Sequence, residues 1–302
     1  MCRRPLPSVT ERHNHCQPVS KPMSLLTCHA VPIRVAGHFN NSAFTAVAAR
    51  QTLRFAVTAC GVLRTVQHDS RCQVDPNWKS IAEGIVVPFD TTLAYHPEYE
   101  SYQQGTISFQ ADAVLMWSLP MRLDEHANAT VARNDLMYYE GVTHPGAPSM
   151  TWPAFVMGWL FALADEERAA PHFSQSYNMT SKPYGVWHES VDSAGWKGCS
   201  NFITGAGSFL QAVIHGYGGV RYTTTGLTIT PRLPPTASHL VLDGIKYRGA
   251  SLRLEVSAGA QSHLALRVAS PRGPLALDGR LLVTGVPIIL QLGMQVHVAL
   301  MP

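Results

Sequence analysis

The segment VWHESVD (186–192) places a carboxylate, Glu189, directly after an aromatic ring, Trp187, and an imidazole, His188, and after Asp192 no acid recurs until Asp243. Two uses fit such a glutamate. It is an acid near the N-terminus of the following Gly-rich helical stretch, where the helix dipole favours negative charge. Alternatively it is a general base in a sugar pocket, where aromatic faces pack on pyranose rings and a carboxylate activates water. Composition slightly favours the surface acid. A second group lies in FQADAVLMW (109–117), where Gln110 and Asp112 stand two apart at a helix start; capping is the default for that spacing, and binding a ligand hydroxyl is the alternative. YHPEYESYQQG (95–105) reads as an exposed polar turn or, alternatively, a pocket rim. Glu140 and His144 read as part of an ordered loop before a capped helix.

Other chemistries find no support. The histidines form no HExxH or comparable pair, so metal catalysis is not expected. There is no GxGxxG or GxxxxGK[ST] phosphate loop. GAGSF (205–209) mimics a nucleophile elbow, but Phe209 stands at the final glycine and no strand precedes it. Net charge is +3 with no basic stripe, which argues against nucleic acid as a partner. No apolar run reaches the roughly 18 residues of a membrane span, and the N-terminal MCRRPLPSVTERHNHCQPVSKP has no apolar core of a signal peptide. Six cysteines without CxxC spacing then predict free thiols and a cytoplasmic location.

These residues need a scaffold, and the chain of 302 residues, 46% of them hydrophobic and only 14% charged, suffices for a large core. Residues 1–38 show no sustained period and read as an atypical N-terminal segment. From Asn41 to Leu63 the apolar spacing is helical, with Asn41 or Ser42 as cap, and further helices are expected near 76–84, 110–118, 127–139, 151–166 and 200–215. The helix over 151–166 should end at Asp165-Glu166-Glu167. After Gly218-Gly219 the pattern becomes short β-branched or alternating runs such as LTITP, SHLVLDG and SLRLEVSAG, the mark of an antiparallel β domain. The expected class is mainly α with a β tail: a helical part over 39–218 and a β-sandwich-like part over 219–302.

In order and spacing, NNSAFT (40–45), VPFD (87–90), YHPEYESY (95–102), QADAVLM (110–116), YEGVT…MTW (139–152), VWHE (186–189) and NFITGAGSFLQAVIHGYGGVR (201–221) resemble glycoside hydrolase family 65. The resemblance covers roughly residues 39–256. It implies part of an (α/α)6 barrel followed by a small C-terminal β domain, and inverting hydrolysis of an α-glucoside without metal or organic cofactor. The branch it resembles most acts on the glucose of glucosyl-galactosyl-hydroxylysine on collagen. Inversion needs two carboxyl groups roughly 6.5–9.5 Å apart, one protonating the leaving oxygen and one activating water. The family's base lies in the segment matching VWHE, which assigns that role to Glu189, with Trp187 beside it. Gln110 matches a glutamine that holds the sugar, and Phe109 stands where the family has a lysine.

The other carboxylate departs from the pattern. The family's general acid belongs to an Asp-Glu-Tyr-His motif preceding the segment that matches HFNNSAFT, whereas this chain has VPIRVAG (31–37), with Arg34 near the expected glutamate. A guanidinium does not donate a proton at neutral pH, since its pKa exceeds about 12. The expectation is therefore a glucosidase lineage whose chain is weakly active or inactive alone. The alternatives are a non-catalytic sugar-binding remnant and a trehalose-type α-glucoside hydrolase.

Overall fold

In the computed structural model the described residues are 40–66, 71–118, 128–191, 198–223, 225–259 and 261–301. The 1–38 segment, Arg34 with it, and Asp192 lie outside them. Contacts divide the chain into two compact units, Met1–Thr151 with Ser190–Cys199, and Trp152–Glu189 with Ser200–Pro302.

The first unit is helical. Helix α1 (Ala43–Val66) buries Ala43, Ala46, Val47 and Arg50, a stripe at positions i, i+3, i+4 and i+7. Ser42 Oγ accepts from the Thr45 amide at 3.5 Å at its start. Asp75 accepts from the Asn77 amide at 2.8 Å and so sets the turn into α2 (Trp78–Gly84). A 3₁₀ turn (Asp112–Val114) runs into α3 (Leu115–Ser118), and α4 (Ala129–Val142) is capped by Asn128, which accepts from the Val131 amide at 2.9 Å. Its core includes Val47, Val114, Met116, Leu136 and Tyr139.

Free thiols, expected from cysteine spacing, are not what the described cysteines form. Cys60, near the end of α1, is disulfide-bonded to Cys72, their Cα atoms 5.6 Å apart across a separation of 12 residues. Cys199 is disulfide-bonded as well. Spacing alone missed this because only the fold sets Cys72 beside the last turns of α1. Arg64, in the last turn, donates to the Cys72 carbonyl at 2.8 Å.

The second unit joins helices to sheets. In α5 (Thr151–Leu163) every residue from Trp152 to Leu160 is buried, which explains its unbroken apolar run. The helix ends at Leu163, just before the acids. Ala164 adopts a left-handed φ of 54°, ending α5, and Asp165 then starts α6 (Glu166–Asn178) by accepting from the Arg168 amide at 3.0 Å. Glu166 and Glu167 occupy the first turn of α6, where the dipole favours them. Pro171 lies inside this helix, yet its buried face, Ala169, His172, Phe173 and Ser176, keeps helical spacing. The apolar helix stops at the acids, as expected, and what the sequence reading did not place is the second helix that they begin.

Strands β1 (Thr180–Ser181) and β2 (Val186–Trp187) form a two-stranded ribbon, and α7 (Ile203–Gln211) continues as a π-helical turn (Ala212–Tyr217). The switch to sheet falls at Gly218-Gly219, as the sequence indicates. Gly219 has φ 64°, and a Cβ there would run into the backbone of Thr230. The remaining strands are β3 (Arg221–Tyr222), β4 (Leu227–Ile229), β5 (His239–Tyr247), β6 (Ala250–Ser257), β7 (Ser262–Val268), β8 (Leu275–Leu277), β9 (Arg280–Leu281), β10 (Pro287–Leu290) and β11 (Val296–Leu300). They build two antiparallel sheets, β10-β7-β6-β5 and β3-β4-β11-β8-β9. Leu252, Leu254 and Val256 alternate inward along β6 and join Leu264, Leu227 and Val298 in one core. The chain is thus a helical domain with an antiparallel β domain. No described helix is long and apolar enough to cross a membrane.

Candidate active site

Phe109 and Gln110 belong to the first unit, Trp187 and Glu189 to the second. In the first unit, the Ser108 amide donates to the Val142 carbonyl at 2.9 Å and the His144 amide to the Ser108 carbonyl at 2.8 Å. This ladder brings Phe109 against His144, their rings stacked 4.4 Å apart at 23°. His144 Nδ1 in turn accepts from the Gly146 amide at 2.9 Å, which orients the imidazole.

Gln110 Nε2 donates to Asp112 Oδ1 at 2.8 Å, so the two side chains engage each other. The capping default is corrected: the turn that Asp112 opens has Ala111 at its cap position and no side-chain cap bond. The 95–105 segment is an exposed polar turn only in its second half, where Glu100, Ser101 and 103–105 are exposed. Tyr95, His96 and Glu98 are buried, Glu98 only 3% exposed. Glu98 Oε1 accepts from the Asp112 amide at 2.7 Å. Burial and the nearby Asp112 charge hold the Glu98 carboxyl well above the usual carboxylate range. Burial likewise lifts Asp112 to about 6, with the Gln110 hydrogen bond opposing.

Asp112 was named from the sequence with Gln110, whereas Glu98, inside the 95–105 segment, was not singled out. The signal for Glu98 was present in its neighbours: Pro97 and the flanking tyrosines mark a segment able to pack, and alternation of Tyr95 and Glu98 with polar residues hid it. The loop is anchored by α4, where Asp135 accepts from the His96 amide and Nδ1 at 2.7 and 2.8 Å and from Trp117 Nε1 at 2.8 Å. Tyr139 donates to the His96 carbonyl at 2.7 Å.

In the second unit the ribbon pairs Thr180 with Trp187, and the Trp187 ring lies 5.4 Å from Phe209 on α7. His188 is buried and clamped: its amide donates to the Met179 carbonyl at 3.0 Å, Nε2 lies 3.0 Å from Ser181 Oγ, and Nδ1 lies 3.2 Å from Ser200 Oγ. The next residue, Glu189, is half-buried, and its carboxylate makes no hydrogen bond with a described residue.

A helical domain followed by an antiparallel β domain is also the fold of a solved structure described as a putative kojibiose phosphorylase from human microbiome. The match has a TM-score of 0.60 at 13% identity and covers 84% of this chain and 40% of that one. No family model matches the chain. Among characterised sequences it is 40% identical over 210 residues to the protein-glucosylgalactosylhydroxylysine glucosidase of Danio rerio and 34% identical over 237 residues to that of Mus musculus. These alignments take in 70% and 78% of this chain but 30% and 32% of the relatives. It is also 30% identical over 213 residues to the kojibiose hydrolase of Mucilaginibacter mallensis, covering 68% of this chain and 28% of the relative. The chain is therefore homologous to glycoside hydrolases and spans about 30% of the length of the relatives it matches.

Proposed function

We propose that this chain is part of an inverting α-glucosidase of glycoside hydrolase family 65, acting on the glucose of glucosyl-galactosyl-hydroxylysine. Its helices correspond to part of an (α/α)6 barrel over residues 39–218, with the β domain over 219–302. The observation that carries the reading is the 40% identity over 210 residues to a glucosidase of that name. Glu189 is the base: clamping of His188 holds the backbone before it, the Gly198 amide donates to the Ser190 carbonyl after it at 2.8 Å, and the unengaged carboxylate is available to a water. Gln110 takes a sugar hydroxyl, with the Phe109 ring beside it, and Trp187 packs near the base.

The reaction this predicts is attack of a Glu189-activated water on the anomeric carbon with inversion, the released glucose leaving as the β anomer. Departure of the other sugar needs a proton, and Arg34 is a poor source of one, so glucose release should be slow. The experiment is incubation of the purified chain with glucosyl-galactosyl-hydroxylysine, following the anomers by NMR. Slow release of β-glucose, lost in Glu189→Gln, supports the reading; release unaffected by that substitution sinks it. A second reading, a sugar-binding protein without turnover, is favoured by Arg34 at the position of the acid. It requires glucose to raise the unfolding temperature with no product formed. Cleavage of trehalose in preference to the hydroxylysine glycoside would move the chain to the trehalase side of its relatives, which include a periplasmic/secreted acid trehalase of Candida glabrata.

A further inference from the structure

Gln110 is gripped from one side only. Its Nε2 donates to Asp112 Oδ1 at 2.8 Å, while Oε1 is buried with no hydrogen-bond partner among the described residues. Asp112 is tied by its own amide to Glu98 Oε1, 2.7 Å away, so its position does not depend on Gln110. An ionised carboxylate only accepts hydrogen bonds, whereas a protonated one also donates. The ionised Asp112 therefore selects the amide orientation with nitrogen turned toward itself and oxygen turned away. A proton on Asp112 favours the reverse, with Oε1 accepting from the carboxyl and Nε2 turned away. Neighbouring Phe109 is held by its stack on His144, so rotation of the Gln110 amide is the freedom that remains.

We propose that Asp112 is a positioning residue whose charge state decides whether Gln110 offers an acceptor or a donor to a sugar hydroxyl. The proposal rests on the reading of this region as a sugar site. Oε1 is the acceptor offered when Asp112 is ionised, and a hydroxyl that reaches it satisfies a buried atom otherwise left unpaired. Burial lifts the Asp112 carboxyl to about 6, which brings the change within an accessible range of pH. Arg50 and Asp135, on elements packed against this turn, have partners of their own, whereas Glu98 bonds Asp112 itself. Arg50 on α1 donates to the Ile85 carbonyl, Asp135 on α4 holds His96 and Trp117, and Glu98 faces Asp112 from the preceding loop.

The test is a titration of the 302-residue chain from pH 5 to 8, reading the Gln110 side-chain amide in ¹⁵N–¹H spectra, the resonance being identified by its loss in Gln110→Glu. The expected result is a shift with a midpoint near 6 that survives Glu98→Gln and vanishes in Asp112→Asn. Glucose binding, measured by calorimetry at the same pH values, should weaken several-fold on the acid side in the wild type and stay level in Asp112→Asn. If Asp112→Asn does not fold, the wild-type and Glu98→Gln titrations decide. A flat Gln110 resonance in a protein that binds glucose overturns the positioning role and leaves the sugar site standing. A titrating resonance in a protein that does not bind glucose keeps Asp112 as the orienting residue and overturns the sugar-site reading instead.

Discussion

Asp135 holds His96 at two points, through the His96 amide at 2.7 Å and Nδ1 at 2.8 Å, with both side chains fully buried. A third donor, Trp117 Nε1, closes on the same carboxylate. One helical residue thus anchors the loop that carries Glu98 to Asp112. Asp135→Ala would remove the acceptor of three donors, two of them on the fully buried His96, a loss expected at about 3–5 kcal/mol. Urea denaturation should show it as a lower midpoint, and the Gln110 region should loosen with it.

The raised carboxyls make stability depend on pH in a definite direction. Asp112 is lifted by burial from 3.8 to about 6, so the folded chain binds its proton more tightly than the unfolded chain does. The resulting stabilisation is fully present below about 4 and is lost as pH rises through about 6. Relative to Asp112→Asn, the wild type should therefore be favoured in acid by roughly 2–3 kcal/mol more than at pH 7.5. Glu98, also raised, contributes in the same sense and remains in the variant. Thermal unfolding of both proteins at pH 4, 6 and 7.5 measures the difference.

Glu189 offers the opposite case, a carboxylate without a structural job among the described residues. Glu189→Gln should change stability by no more than about 0.5 kcal/mol. Any glucose release should fall by about 10²–10⁴-fold, the usual contribution of an acid or base. Paired unfolding and turnover measurements separate the two effects.

Gly219 combines a left-handed φ with a close approach to Thr230, and the Thr230 amide donates to the Gly219 carbonyl at 3.2 Å. Gly219→Ala meets strain and a backbone clash together, so a loss of at least about 2 kcal/mol is expected. Calorimetry should show a lower transition temperature.

The Cys60–Cys72 bond closes a separation of 12 residues, for which chain entropy gives a stabilisation of about 3 kcal/mol. Cys72→Ser should lower the unfolding free energy by that order, and thiol labelling of the wild type without reductant should spare both cysteines.

Local periodicity was enough to place α1, α4, α5 and the start of the β domain, because the buried stripe of α1 and the inward alternation of β6 are written in neighbouring residues. The cap at Asn128 and the glycine switch at Gly218-Gly219 are local in the same way. Helix α6 escaped this reading, since an acidic pair after an apolar run marks a helix start as well as an end, and only the backbone at Ala164 chose.

The residues named from the sequence as candidates, Phe109, Gln110, Trp187 and Glu189, were legible as types within motifs. What surrounds them was not. Glu98 is buried because α4, some forty residues later, supplies Asp135 and Tyr139 to close over its loop. The Asp112–Gln110 bond, the raised carboxyls and the disulfide follow from such returns of the chain. Sequence alone determined most of the helix and strand segments, α6 and the β1–β2 ribbon excepted, since those energies are settled largely among near neighbours. Tertiary structure decided which polar side chains lost water and to which partners they turned, since desolvation depends on residues far apart in the chain.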